Sequence, residues 1–444
     1  MELCQENKLK YGKFTNFDKF YIASLFYYCF LLDVQTIHAL FPITFLPAFY
    51  GIRFLVTGFL AVFVLQLTIL RGYVRINKGL FVLSYMFFLL TLLSSAYHQT
   101  TYLLRIDLLN FYFIYLFFLF YKRKYLSPLV DIASIFFFVL LIGAIIGFVY
   151  AFLGYPPTMT GTLGGALPRS YYLYLTTGAV DGGIIGSIIR PNGIYHEPGG
   201  LSLFLCALCF LRVFAKKNDG VTFVLMLLGN ITFSMIHMII FALFILHWIV
   251  KYKMKKALVL YVAVAFGVAL AVYLPLKEQI DDLLFARFVI NESTGKVQGD
   301  NRSSHLNNAL ELLKSDKTII IWGLSRKEDG RTMMDKVWGY GENPLAPLLK
   351  YGIMMSWLYY FYLFFFVLCG IIDRKHFFIY LSISLMLLQR PFFHDVRSSI
   401  ILILFITSCD LLKNRIKHII SVYRNNVPVQ AKQWNVTIKH RYEH

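Results

Sequence analysis

Three short strings in this 444-residue chain hold residues able to bind a phosphate and move a proton. The first, Arg190-Pro-Asn-Gly-Ile-Tyr-His-Glu-Pro-Gly-Gly200, packs a guanidinium, the His196 imidazole and the Glu197 carboxylate into eight residues. Pro198 suits the first turn of a helix and Glu197 its positive end, so capping accounts for Glu197 as well as acid–base work does. Arg190 beside that helix start has the fork that recognises phosphate in a bidentate manner. In the second string, Gly299 to Arg326, Arg302 opens an amphipathic helix that also carries His305, and a turn at Gly323 closes it. Asn301 and Ser303 both suit its cap, which would put Arg302 at a phosphate-friendly end; a solvated surface arginine is the plainer alternative. The third string, Gly339 to Gly352, puts Glu342 and Asn343 at the mouth of an apolar run. There Glu342 suits a helix cap, a partner for a sugar hydroxyl, or a base.

The elements that must hold these groups are apolar. The chain is 58% hydrophobic, where a soluble domain has about 45–50%, and 15% charged, where about 25% is usual. Phe, Tyr and Trp make up 18%, and mean hydropathy is +0.62. One soluble core could not bury that surface at this length, whereas helices in a bilayer need not. The formal charge of +19 would point to nucleic acid in a soluble protein, but here the basic residues punctuate apolar runs. Anionic headgroups and a polyanionic lipid-linked substrate are the partners this charge fits. No nucleic-acid role, metal or cofactor is expected: no Walker A, GxGxxG, DxD or HExxH string occurs. Cys206 and Cys209 form a CxxC, read as two small apolar residues one turn apart on a membrane helix rather than a redox motif.

Runs long enough to span lie at 20–42, 52–70, 79–97, 101–121, 127–152, 199–215, 257–275, 344–370, 377–392 and 397–412. The stretch 221–250 has lysines at both flanks, so two short helices meeting near Asn230 to Ser234 satisfy the charge bias where one crossing does not. The expectation is an all-α polytopic membrane protein of about twelve transmembrane helices in a single domain, 1–444. Both termini and the 413–444 tail are then cytoplasmic, and two long loops, 153–198 and 276–343, face outward. Those loops carry Arg169, Arg190, Arg287, Arg302, Arg326 and Arg331 on the side where cations are usually scarce. The segment Gln389 to Arg397, with Arg390, His394 and Arg397, falls on the same side, where its aromatics suit either a sugar groove or an aromatic belt. Ionisable residues within apolar runs include Asp131, His237, His247 and Asp395, expensive groups that are read here as pairing or structural.

In order and spacing the strings resemble the bacterial O-antigen polymerase (Wzy) and O-antigen ligase superfamily over residues 185–365. The resemblance rests on Arg190, Asn192, Gly193 and Pro198; on Thr232 and Ser234, with Met235 where an arginine is common; on Arg302 through Gly323; and on Asn343, Leu348, Gly352 and Ile353. Ligases have a histidine, their proposed base, where Glu342 stands, and the E-P-G turn is typical of polymerases, so the polymerase branch is favoured. The resemblance implies a GT-C-like fold in the bacterial inner membrane with its active site facing the periplasm. It implies a glycosyltransferase that joins undecaprenyl-pyrophosphate-linked oligosaccharides, donor and acceptor alike, without metal or nucleotide. A chain-length regulator and a flippase would be its further partners. Glu342, Arg190, Arg302, Glu197 and His196 are then the catalytic candidates. Arg169, Asn192, His305, Arg326, Asn343, Arg390, His394 and Arg397 are the substrate-binding candidates. A ligase acting on lipid A core and a flippase of the same lipid-linked sugar are the rival readings.

Overall fold

The structure, a computed structural model, describes residues 14–31, 78–97, 118, 121–161, 169–185, 188–195, 197–252, 267, 274, 277, 290–291, 296–297, 301–324, 343–391 and 396–409. Within these the protein is mostly helical. In chain order the elements are α1 (Asn16–Phe26, continued by a π-turn, Tyr27–Leu31), α2 (Lys78–Tyr97) and α3 (Leu126–Phe152). Four strands follow: β1 (Met159–Gly161), β2 (Arg169–Tyr171), β3 (Gly178–Ile185) and β4 (Ile188–Pro191). Next come α4 (Pro198–Phe214), α5 (Asp219–Leu228), α6 (Met235–Tyr252) and the short pair β5 (Ile290–Asn291) and β6 (Lys296–Val297). The last are α7 (Asn301–Ser315), α8 (Thr318–Trp322), α9 (Ala346–Ile372), α10 (Phe377–Gln389) and α11 (Val396–Ser408).

Helix boundaries follow the apolar runs closely, because in lipid a helix is what pairs every backbone group within its own segment. Among the described residues three helical segments, Arg123–Phe152, Met235–Tyr252 and Ala346–Ile372, are long and apolar enough to cross a membrane. On α3 one face, including Leu129, Ala133, Phe137, Leu140 and Ala144, is buried, while Ile135, Val139 and Ile142 on the other are more than half exposed. An apolar helix with an apolar exposed face is what lipid contact requires. By contrast α4 is buried on every side from Leu201 to Phe214, so it forms the bundle's centre. Cys206 and Cys209 are free thiols within that packing. The expected run 52–70, all of 257–275 but two residues, and most of 101–121 lie outside the described residues.

The expected break in 221–250 is present: α5 gives way to a 3-10 turn, Gly229–Thr232, then to Phe233 in a left-handed conformation before α6. The two half-helices fold back on each other. Lys251 at the end of α6 pairs with Asp219 at the start of α5 at 2.6 Å, and Phe223 stacks on Trp248 at 5.0 Å.

Basic residues gather at one end of the bundle. There Lys217 meets Asp131 at 2.5 Å, Arg123 donates to the Ser408 carbonyl at 3.3 Å, and His376 pairs with Asp373 at 2.8 Å. The buried Arg212 guanidinium donates to Thr222, Ser134 and the Asn218 carbonyl. The sheet, the α5–α6 hairpin tip and the start of α4 lie at the other end.

The structure departs from expectation in the loop 153–198, which folds into a four-stranded antiparallel sheet in the order β1-β2-β3-β4. Its 3-10 turn, Leu175–Thr177, packs along α3. A Cβ on Gly143 would stand 2.2 Å from Thr176 Oγ1, and one on Gly147 would stand 3.0 Å from Thr177 Cβ, so the two glycines make the seat for the turn.

Asp18, at the start of α1, anchors the basic end. Burial alone would push its carboxyl up. The Tyr125 hydroxyl at 2.5 Å, Lys124 at 2.9 Å and the Thr15 backbone N–H at 3.0 Å outweigh that and hold it well below the usual carboxylate range. A depressed folded pKa stabilises above the unfolded value and is lost as the pH falls through the folded one. Asp18→Asn is therefore expected to lower the melting temperature at neutral pH, by about 1–3 kcal/mol of stability. The gap to wild type should begin to close below about pH 4; a gap constant with pH would contradict the anchor.

Candidate functional site

Arg190 lies in β4, and the register sets its surroundings. Val180 of β3 pairs with Arg169 of β2 on one side and Arg190 on the other, so the two arginines stand in one cross-strand row that Gly161 of β1 continues. Two strand spacings separate them, about 10 Å. The Arg190 Nη2 donates to the carbonyl of Phe233 at 3.2 Å, so the first string meets the tip of the α5–α6 hairpin. Thr232 and Ser234, both buried, flank that carbonyl. Phe233 is fixed by its own N–H, which donates to the Asn230 carbonyl at 3.0 Å, and by its ring against Phe148 at 5.9 Å.

After β4 the chain turns sharply. The backbone N–H groups of Asn192 and Gly193 both donate to the Gly178 carbonyl, at 2.9 and 3.2 Å. Gly193 has a φ of 55°, and a Cβ on Gly178 would stand 2.6 Å from the Gly193 oxygen, so these two positions need glycine. Asn192 is fully buried, with its amide donating to the Tyr195 carbonyl across the turn. Tyr195 then reaches inward, stacking on Phe137 and Phe204 and donating to the Phe30 carbonyl at 3.0 Å.

Glu197 occupies the N-cap position of α4 with Pro198 next, as the sequence suggests, but its side chain makes no capping hydrogen bond. It forms an ion pair with Arg390, which follows α10. The Arg390 guanidinium lies over the first turn of α4, where a Cβ on Gly199 would be 2.6 Å from Nη2. A cation is unfavourable at a helix N-terminus, and the Glu197 carboxylate offsets that cost. Beneath Arg390 a narrow apolar cleft runs between α4, α10 and α11, lined by Leu203, Phe204, Ala207, Leu387 and Ile401.

The second and third strings form a neighbouring unit. Ala309 of α7, Ile319 of α8, Leu324 just after α8, and Leu349 of α9 make a small core of their own. Gly323 (φ 77°) and Gly352 (φ 62°) face each other so closely that a Cβ on either would be 2.6 Å from the other's backbone nitrogen. Asn343 is buried, and its Oδ1 accepts the Leu345 N–H at 2.8 Å, starting α9. His305 is half-buried on α7. Arg302 and Arg397 fall in the first turns of α7 and α11. Glu342, His196, Arg326 and His394 lie outside the described residues. The structure thus pairs Glu197 with Arg390 at the start of α4, places the Asn192 turn just before it, and holds Arg190 of β4 against the hairpin tip, with Arg169 two strands away. Arg302, His305 and Asn343 belong to the α7–α9 unit, and α10, which Arg390 follows, packs along α9.

Two parts of this site were not foreseen: the Phe233 carbonyl, which has no sequence signal, and the seat for the Thr176 turn, whose signal is Gly143-x-x-x-Gly147. Fold and site together define a mostly helical, membrane-embedded protein with Arg190 and the Glu197–Arg390 pair at one end. No family model, curated protein or solved structure matches the chain.

If the turn is seated on α3 as described, Gly143→Ala must displace it. The expected cost is about 1–3 kcal/mol, read as a lower melting temperature in detergent. An unchanged melt would show that the turn does not pack there.

Proposed function

We propose that this chain is a polysaccharide polymerase. It joins undecaprenyl-pyrophosphate-linked oligosaccharide repeats at the periplasmic face of a bacterial inner membrane. The observation that carries the reading is Arg190, held by β4 and the hairpin tip next to the start of α4, a guanidinium fixed at one end of an apolar bundle. The resemblance to O-antigen polymerases supports the same role for this residue. Gathering of basic residues at the opposite end supports a cytoplasmic location for that end.

In this reading the acceptor sugar hydroxyl attacks the anomeric carbon of the growing chain. The bond from that carbon to the lipid pyrophosphate breaks, and the pyrophosphate leaves with its electron pair. Arg190 and Arg302 offset the developing negative charge in a partly dry recess. The hydroxyl proton passes to a base, and Glu342, which replaces the ligase histidine, takes that role ahead of His196 and Glu197. Glu197, paired with Arg390, serves better to orient that arginine than to accept a proton. Arg169, His305, Arg326, His394 and Arg397 are the further substrate-binding candidates, whereas Asn192 and Asn343, both buried, hold the turns before α4 and α9 and act on substrate only through that backbone.

The test uses cells that make the cognate repeat unit, comparing surface-polysaccharide ladders at matched expression. Arg190→Ala is expected to cut polymerisation by about 10²–10³-fold, leaving single-repeat glycan, with Arg302→Ala and Glu342→Gln acting in the same direction. Full ladders from all three variants would overturn the site. Long glycan that fails to reach lipid A core would identify a ligase, and repeats stranded on the cytoplasmic leaflet a flippase.

A further inference from the structure

His237 is fully buried in α6, one turn past the hairpin tip, in a segment where an ionisable side chain is costly. Its Nε2 lies 2.8 Å from the Met226 carbonyl, which can only accept, so Nε2 carries the proton and Nδ1 is an acceptor. Ser202 Oγ at 3.1 Å and Cys206 Sγ at 3.3 Å, both on α4, face Nδ1. The imidazole therefore ties three helices together: α6, which carries it, α5 through Met226, and α4 through Ser202 and Cys206. Gly229 is shaped around it, since a Cβ there would be 2.3 Å from the ring. The Asn230 amide, donating to the Met226 and Leu227 carbonyls at 3.2 and 2.9 Å, completes the joint.

The joint carries a strained residue. Phe233, at φ 47° and ψ 38°, lacks the freedom of glycine, and such a conformation persists only where its surroundings impose it. Its carbonyl is the one that Arg190 meets. We infer that His237 is a positioning residue for Arg190: by bolting α5 and α6 to α4 it holds the strained Phe233 carbonyl that aims the guanidinium. The inference rests on the reading of Arg190 as the partner of the leaving pyrophosphate. The polar cost of a buried histidine is thereby explained by the geometry it maintains rather than by contact with substrate.

The experiment uses the full chain in lipid nanodiscs with lipid-linked repeat units and measures kcat and KM separately. His237→Ala is expected to lower kcat by about 10–100-fold while leaving KM for the acceptor unchanged. His237→Gln, which keeps one donor and one acceptor, should recover most of the loss. In an Arg190→Lys background His237→Ala should add no further loss, because both act through one guanidinium. A His237→Ala protein with wild-type kcat, or a loss that multiplies with Arg190→Lys, would overturn the inference. If His237→Ala is not monodisperse, Ser202→Ala carries the test: a smaller fall in kcat at constant KM supports the bolt, and an unchanged kcat refutes it. Wild-type protein that does not lengthen the glycan would instead defeat the polymerase reading itself.

Discussion

Irregular backbone inside an apolar bundle must find its hydrogen bonds in the protein, and the loop end of this molecule is organised by that constraint. The turn seated on α3 is the clearest case. Thr177 Oγ1 accepts from the backbone N–H groups of Tyr172, Leu173 and Tyr174 and donates to the Tyr174 carbonyl, so one hydroxyl satisfies a whole loop. Its seat at Gly143 is nine residues below Phe152, about 13 Å down the helix. With the backbone satisfied there, the strands that follow, β3 and β4, lead the chain through Arg190 to the start of α4.

The same constraint governs the hairpin between α5 and α6. Breaking a helix among apolar neighbours leaves polar groups that need partners, and here Asn230, Thr232 and His237 supply them from side chains. The break exposes one carbonyl, that of Phe233, to an arginine brought from 43 residues earlier in the chain. A carbonyl brings no charge to a guanidinium, so this contact orients Arg190 rather than neutralising it. Arg390 differs: its charge is matched by Glu197, and the pair links α10 to the first turn of α4.

Much of this was legible in the residues. Apolar run lengths located α3, α4, α9, α10 and α11 to within a few positions, and lysines on both flanks of 221–250 implied the broken hairpin before its contacts were known. Glu197 and Pro198 marked the start of α4. The sheet in 153–198 was not legible because three of its strands have only three or four residues and the longer β3 is broken by glycines, with little of the alternation that betrays a strand. Nor was the pairing of Glu197 with Arg390, since nothing local to either residue records a contact made by packing α10 near α4. The glycines at 323 and 352 stood in separate strings, and only their close approach shows why both sites need glycine.

The central claim is that the site around Arg190 and the start of α4 lengthens a lipid-linked glycan, with arginine supplying the positive charge. Its most direct test is a reaction of purified protein in nanodiscs with lipid-linked repeat units and a chelator present, followed by mass spectrometry of the products. The account predicts glycans of two or more repeats, with one polyprenyl pyrophosphate released for each bond formed. Repeat units recovered at their original length, with no pyrophosphate released, would contradict it.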